Sequence, residues 1–311
     1  MTAVAASAPV RTGGAPGLGR LVATELLKLR TTRVWWGLLL TGVLLAFLNA
    51  GLLAGTAGLA LGNGRPSPPP TDPAMLRSIY TGGFANGYVI TLCLGVLGMA
   101  GEYRHQTITP TLLAVPSRAR LVASKLVAYL LAGLAFGVVL VAAGAVLGAV
   151  ILAARGYPVG LGAPGVVRSM LLAALGCAVW AVFGLGLGTL ITNQIVALLT
   201  AIGFGALAGP LLALALQALK AGAVAQYLPN QASAALVQGT DGGFEQQLLP
   251  WWGGALVLLA YGVVFAALVQ GTNGGFEQQL LPWWGGALVL LAYGVVFAVL
   301  GTLLTTRRDV T

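Results

Sequence analysis

GEYRHQTITPTLLAVPSRARLVASK, residues 101–125, is a basic, helix-prone island between two long apolar runs, and its setting decides the fold. Runs of about 20 apolar residues cross a bilayer as helices, because within lipid only a helix or a closed barrel pairs every backbone N–H and C=O. Composition agrees: 58% of the 311 residues are hydrophobic, only 7% are charged, and the mean hydropathy is +0.92. These values lie far from soluble-domain usage. The expected fold class is all-α, a polytopic membrane helix bundle.

The same figures exclude several functions. A net charge of +9 could suggest nucleic acid, but the basic residues sit in short loops beside apolar runs, where anionic lipid and the positive-inside bias account for them; no nucleic-acid partner is expected. Cys93 and Cys177 lie within apolar runs and read as small buried hydrophobes. His105 is the single histidine, so no mechanism or metal site needing two is available within the chain, and it reads as a solvated interfacial residue. No GxxxxGK[ST] occurs, so the chain has no P-loop of its own and is not expected to be an enzyme.

Towards the N-terminus, residues 1–17 form a small Gly/Pro-punctuated tail, expected to be disordered. Residues 18–33, LGRLVATELLKLRTTR, place Leu18, Leu21, Val22, Leu26 and Leu29 on one side at 100° per residue, with Arg20, Lys28 and Arg30 outside that cluster. This is the pattern of an amphipathic helix lying on the membrane surface. Glu25 falls among the leucines: it either pairs with Lys28 or snorkels to water, or it pairs with a basic residue of another segment. Five basic residues precede the first span, which predicts a cytoplasmic N-terminus in a multi-pass protein of the plasma membrane. Arg far outnumbers Lys, and Ala and Gly abound, which points to a GC-rich bacterial coding sequence.

Spans are predicted over about 34–61, 79–100, 121–154, 166–190, 195–219, 248–269 and 280–304. Trp35 and Trp36 mark the entry of the first, and a proline-rich loop, GNGRPSPPPTDP, follows it on the outside. Asn86, alone in the second span, is either an interhelical hydrogen-bonding group or a substrate contact. Small-xxx-small glycine pairs recur (Gly133/Gly137, Gly144/Gly148, Gly184/Gly188, Gly205/Gly209), at about the chance frequency for so glycine-rich a chain. None of spans three to five carries an ionisable residue near its centre, which argues against a secondary transporter. Residues 220–249 read as an external segment with a short helix on the outer interface.

Residues 235–266 recur as 267–298, identical except that Asp241 becomes Asn273. Two near-identical copies with an apolar core read as a tandem duplication, giving six ancestral spans plus one duplicated C-terminal apolar segment. Seven spans would put Arg307 and Arg308 outside, against the positive-inside bias, whereas six keep TTRRDV inside. Both counts stand at this level.

Within the opening island, Thr109 and Pro110 form a helix-starting pair, TLLAV supplies a short apolar patch, and Pro116 ends it. Ser117 then caps a helix whose opening residues Arg118, Arg120 and Lys125 are expected at the anionic membrane face. Physics alone allows a lipid-anchored interfacial loop here.

The pairing of ELLKLRTTR with GEYRHQTITPTLLAVPSRARLVASKL resembles the permease subunits of ABC transporters of the ABC-2 export type, over residues 18 to the end. The resemblance implies a six-helix permease that pairs with a second permease copy, homodimeric or heterodimeric, in the lipid bilayer. A separate ABC ATPase would dock beneath and use ATP and Mg, this chain binding no cofactor. It also makes 18–33, with Glu25, Lys28 and Arg30, the interfacial connecting helix. Residues 102–116 would include the coupling helix, with Glu102, Tyr103, Arg104, Thr107, Thr109 and Pro110 at the motif's positions. Set beside this reading are a channel or secondary carrier, and a non-transporting membrane scaffold or sensor.

Overall fold

The computed structural model describes residues 17–61, 65–104, 118–191, 193–219, 222–238 and 249–272. Helix α1 (Leu18–Thr31) meets α2 (Val34–Thr56) at a tight elbow, where the Trp35 indole donates to the Arg30 carbonyl at 3.1 Å and stacks on Trp36. The first span therefore stops at Thr56, short of the expected 61. There Ala57 and Gly58 turn the chain, and Ala60–Leu61 (β1) pairs with Arg65–Pro66 (β2) in a two-residue antiparallel ladder.

The second span is entered through a separate short helix, α3 (Pro73–Tyr80), started by Asp72, whose side chain accepts from the Ala74 amide, and by Pro73 at its first turn. Helix α4 (Gly82–Arg104) follows after a break at Thr81, and α5 (Arg118–Ala154) and α6 (Val166–Leu190) complete the centre. At 37 residues, α5 is about 55 Å long, well beyond the hydrocarbon thickness. Arg155, just past its end, donates to the Ala54 carbonyl at 2.7 Å and lies over the Tyr157 ring, fastening α5 to the far end of α2.

Four helical stretches among the described residues are long and apolar enough to cross a membrane: Val34–Thr56, Pro73–Arg104, Arg120–Ala154 and Val166–Leu190. The expected fifth span, 195–219, is a continuous helical run whose pitch changes partway. Helix α7 (Gln194–Ile202) passes through a π-helical segment, Gly203–Ala208, into α8 (Gly209–Ala218), and the Tyr88 hydroxyl donates to the Gly205 carbonyl within it at 3.0 Å. The short α9 (Gly222–Ala225) and α10 (Pro229–Gln238) precede α11 (Trp251–Thr272). Instead of lying on the outer interface, α10 is packed into the bundle. Ala232, Ser233, Ala235, Leu236 and Val237 are buried, and the Trp180 indole donates to the Ser233 hydroxyl at 2.8 Å.

Glycine lets the central helices touch. A Cβ on Gly95 would lie 1.9 Å from the Ala181 carbonyl oxygen, and one on Gly184 equally close to that of Leu92, so α4 and α6 cross backbone to backbone. Gly83 and Gly144 do the same for α4 and α5. Such approach is how helices associate in lipid, where the hydrophobic effect gives no drive between them. Around this crossing Phe84, Tyr88, Trp180, Phe183 and Tyr261 form a chain of ring contacts with centroids 4.8–6.1 Å apart. Of the last expected span, 280–304, and the second copy of the repeat beyond Thr272, nothing falls within the described residues.

Candidate functional site

Helices α1, α4 and α5 converge at one end of the bundle around four charged side chains. Glu25 receives Lys28 on one carboxylate oxygen and Lys125 on the other, both at 2.7 Å. Glu102 receives Lys125 at 2.6 Å and Lys28 at 3.1 Å, both on Oε1. Lys125 and the two carboxylates are buried, and only Lys28 reaches the surface, with 41% of its side chain exposed. Two acids and two bases make the cluster neutral, which suits its burial: each ion taken from water costs several kcal/mol unless paired and hydrogen-bonded. Glu102 also lies in the last turn of α4, where the helix carbonyls repel an anion, and the two ammonium groups offset that.

The electrostatics follow from this geometry. Burial alone would raise the Glu25 carboxyl, but the charges and hydrogen bonds of Lys125 and Lys28 outweigh it and hold its pKa below the ordinary glutamate range. Burial would likewise lower Lys28, yet Glu25 and Glu102 overcome it and raise the ammonium above its usual value. Both shifts favour the charged forms.

Glu25 thus satisfies both readings of its sequence position, pairing with Lys28 one turn on and with Lys125 of another helix. Lys125 is a correction: expected at the anionic membrane face, it is 3% exposed and sits between two carboxylates. The signal was present in the sequence, since Lys125 shares a helix face with Leu121, Val122 and Tyr129, a lysine amid an apolar stripe just as Glu25 is an acid amid leucines. Gln194 was also missed; it opens α7 and accepts from the Arg104 guanidinium at 3.2 Å, bridging the ends of α4 and α7.

The other expected positions scatter. Tyr103 is half-buried against the apolar cluster that includes Val22, Leu26 and Leu29 of α1. Arg30 is exposed, contributing its carbonyl to the elbow. Asn86 is half-buried, well up α4 from the ion cluster, and no hydrogen bond joins its side chain to another described residue. Thr107, Thr109 and Pro110 lie outside the described residues, as does the rest of 105–117. The only flanks of that segment to be described are therefore α4, which ends at Arg104, and α5, which begins at Arg118, and each carries one buried member of the cluster.

No curated protein matches the chain. Residues 75–310, well over half of it, match the model of a family described as ABC-2 family transporter protein, beginning within α3 and so taking in Glu102 and Lys125 but not Glu25 and Lys28. With its apolar helices and this match, the chain belongs to the ABC-2 transporter family, as an integral membrane permease of the ABC exporter type.

Proposed function

We propose that this permease is driven by a separate ABC ATPase through the segment between α4 and α5, and that the four-residue ion cluster links that segment to α1. Membership of the family implies a partner ATPase of this kind, which would use ATP and Mg, whereas the point of contact is our reading. The observation that carries it is the cluster itself: Glu102 and Lys125, on the two flanks of 105–117, are held to each other and to Glu25 by buried ion pairs of 2.6–2.7 Å. A push on the segment displaces α4 and α5 together, and α1 with them, because separating any one would strand a buried charge. Lipid surrounds the bundle, a second permease copy completes the transporter, and the α1 end faces the cytoplasm in a bacterial plasma membrane.

Purification of the chain from native membranes tests this. An ABC ATPase is expected to accompany it, and Arg104→Ala or Glu102→Ala is expected to change ATP hydrolysis by the complex about 5- to 150-fold, the span of a 1–3 kcal/mol coupling. The reading fails if no ATPase associates, or if both substitutions leave hydrolysis at the wild-type rate. A carrier or channel would instead show substrate flux that persists with the ATPase removed.

A further inference from the structure

The Tyr88 hydroxyl sits on a carbonyl that a regular helix would not offer. Through Gly203–Ala208 the amides reach back five residues instead of four, and the Gly209 N–H accordingly donates to the Phe204 carbonyl. At α spacing that amide would take the Gly205 carbonyl. Here the Gly205 carbonyl accepts the Tyr88 hydroxyl at 3.0 Å instead. Gly205 is buried against α4, where a Cβ would lie 3.3 Å from Val89 and 3.4 Å from Leu92, so glycine lets α4 come near enough for the hydroxyl to reach the backbone.

Pro210 leaves the two spacings with the same deficit. It has no N–H, so one carbonyl upstream loses its donor in either pitch: that of Ala206 at α spacing, that of Gly205 at π spacing. An unpaired backbone group inside a membrane bundle is costly, and the Gly205 carbonyl is the one covered by a hydroxyl. Tyr88 thus decides between two registers that the backbone alone does not separate. Gly203, Gly205 and Gly209 ease a change of pitch, because glycine restricts the backbone least.

We propose that the 194–218 helical run is a two-register switch, held in π pitch by the Tyr88 hydroxyl and passing to α pitch when α4 withdraws it and the Gly209 amide takes the Gly205 carbonyl. Straightening the π segment turns α8 by about 100° and advances it by about 1.5 Å relative to α7, one residue of helix. The turn reaches α10. A Cβ on Gly209 would lie 3.1 Å from the Asn230 amide carbon, and both sequence neighbours of Gly209 carry a Cβ. Turned by one residue, α8 therefore pushes on α10, which holds the Trp180 indole through Ser233. The switch is a property of this chain and does not rest on the ATPase reading.

The test uses the full-length chain in nanodiscs, without ATPase or nucleotide, diluted with unlabelled chain. Nitroxides at Leu171→Cys on α6 and Leu211→Cys on α8, positions 67% and 62% exposed, report their separation by double electron–electron resonance. With a helix radius of about 5 Å to the side chains, the turn moves the second label by up to about 8 Å. Tyr88→Phe keeps the ring that packs on Phe84 and Trp180, and it is expected to raise the ratio of displaced to original positions about 2- to 12-fold, the effect of one hydroxyl–carbonyl hydrogen bond. Deleting Gly203 removes the extra residue, so α pitch holds α8 in its original place, and Tyr88→Phe is expected to change nothing in that background. A Tyr88→Phe distribution that matches wild type, or that only broadens as loosened packing would make it, overturns the switch. A shift that persists in the Gly203 deletion overturns it too, since the π segment is then not its source.

Discussion

Lys125 is the residue on which the α1 end of the bundle turns. It is 3% exposed and holds two carboxylates from two other helices at 2.6–2.7 Å. Lys125→Ala strands both anions, and a loss of about 3–5 kcal/mol is expected, the cost of breaking a buried pair by removing one partner. Thermal unfolding in detergent measures it, and Glu25→Gln added to Lys125→Ala is expected to cost less than the two changes summed, because they share one interaction. Two of the four facing charges, Glu25 and Lys28, also set a pH range. The depressed Glu25 contributes stability that is complete above its unfolded pKa of about 4.3 and is lost as pH falls through the lower folded value. The raised Lys28 contributes stability complete below about 10.4 and lost as pH rises through the higher folded value. A melting temperature level from about pH 5 to 10, falling on both sides, is expected, with a smaller fall in a Glu25→Gln/Lys28→Gln double variant. Glu25 was legible as an acid out of place among leucines; its second partner was not, because the periodicity of α5 reveals a stripe but not which helix covers it.

Between elements, glycine and one small hydrogen bond do what composition could not announce. Gly95 and Gly184 each approach a carbonyl of the other helix so closely that a Cβ would sit 1.9 Å from it. Gly95→Ala is expected to force α4 and α6 apart and cost at least 1–3 kcal/mol, the scale of overpacking, whereas Gly37→Ala, with open space at its Cβ, is expected to be neutral. Counting glycine spacings could not separate these positions, since the count sees one helix at a time and the approach depends on two. The burial of α10 was equally hidden. Its small residues and single serine read as an exposed outer segment, yet they allow Trp180 a partner in the core. Ser233→Ala leaves that indole N–H unpaired and is expected to cost about 1–3 kcal/mol, read from the melting temperature and from the tryptophan emission. The π-helical segment at Gly203–Ala208 had no sequence signal of its own beyond its two glycines, and the Tyr88 hydroxyl that donates into it comes from far away in the chain.

At the scale of the whole molecule, the all-helical membrane bundle was plain from hydropathy alone, because the demand that backbone groups be paired in lipid admits few alternatives. Span boundaries were less so, as the turn at Ala57 and the break at Thr81 depend on neighbours. The duplication shows why. The residues ALVQ at 235–238 finish the buried α10, and the same four at 267–270 continue α11, so identical sequence serves two settings. Deleting 267–298 joins Ala266 to VLGTLLTTRRDV and leaves one uninterrupted apolar run ending at two arginines. That variant is expected to insert and melt as the full chain does. A cysteine after Arg308, probed with an impermeant thiol reagent, is expected to be protected in intact cells for this deletion, as the positive-inside bias requires.

The family likeness begins at residue 75, while half of the ion cluster, Glu25 and Lys28, stands before it. The four charges therefore act as a key cut in two parts, with one pair of teeth on the N-terminal piece and the matching pair on the part of the chain that matches the family. A graft of residues 18–56 from another permease would seat only if it carried an acid opposite Lys125 and a base opposite Glu102; without them it would lie on the membrane beside the bundle, present but disengaged.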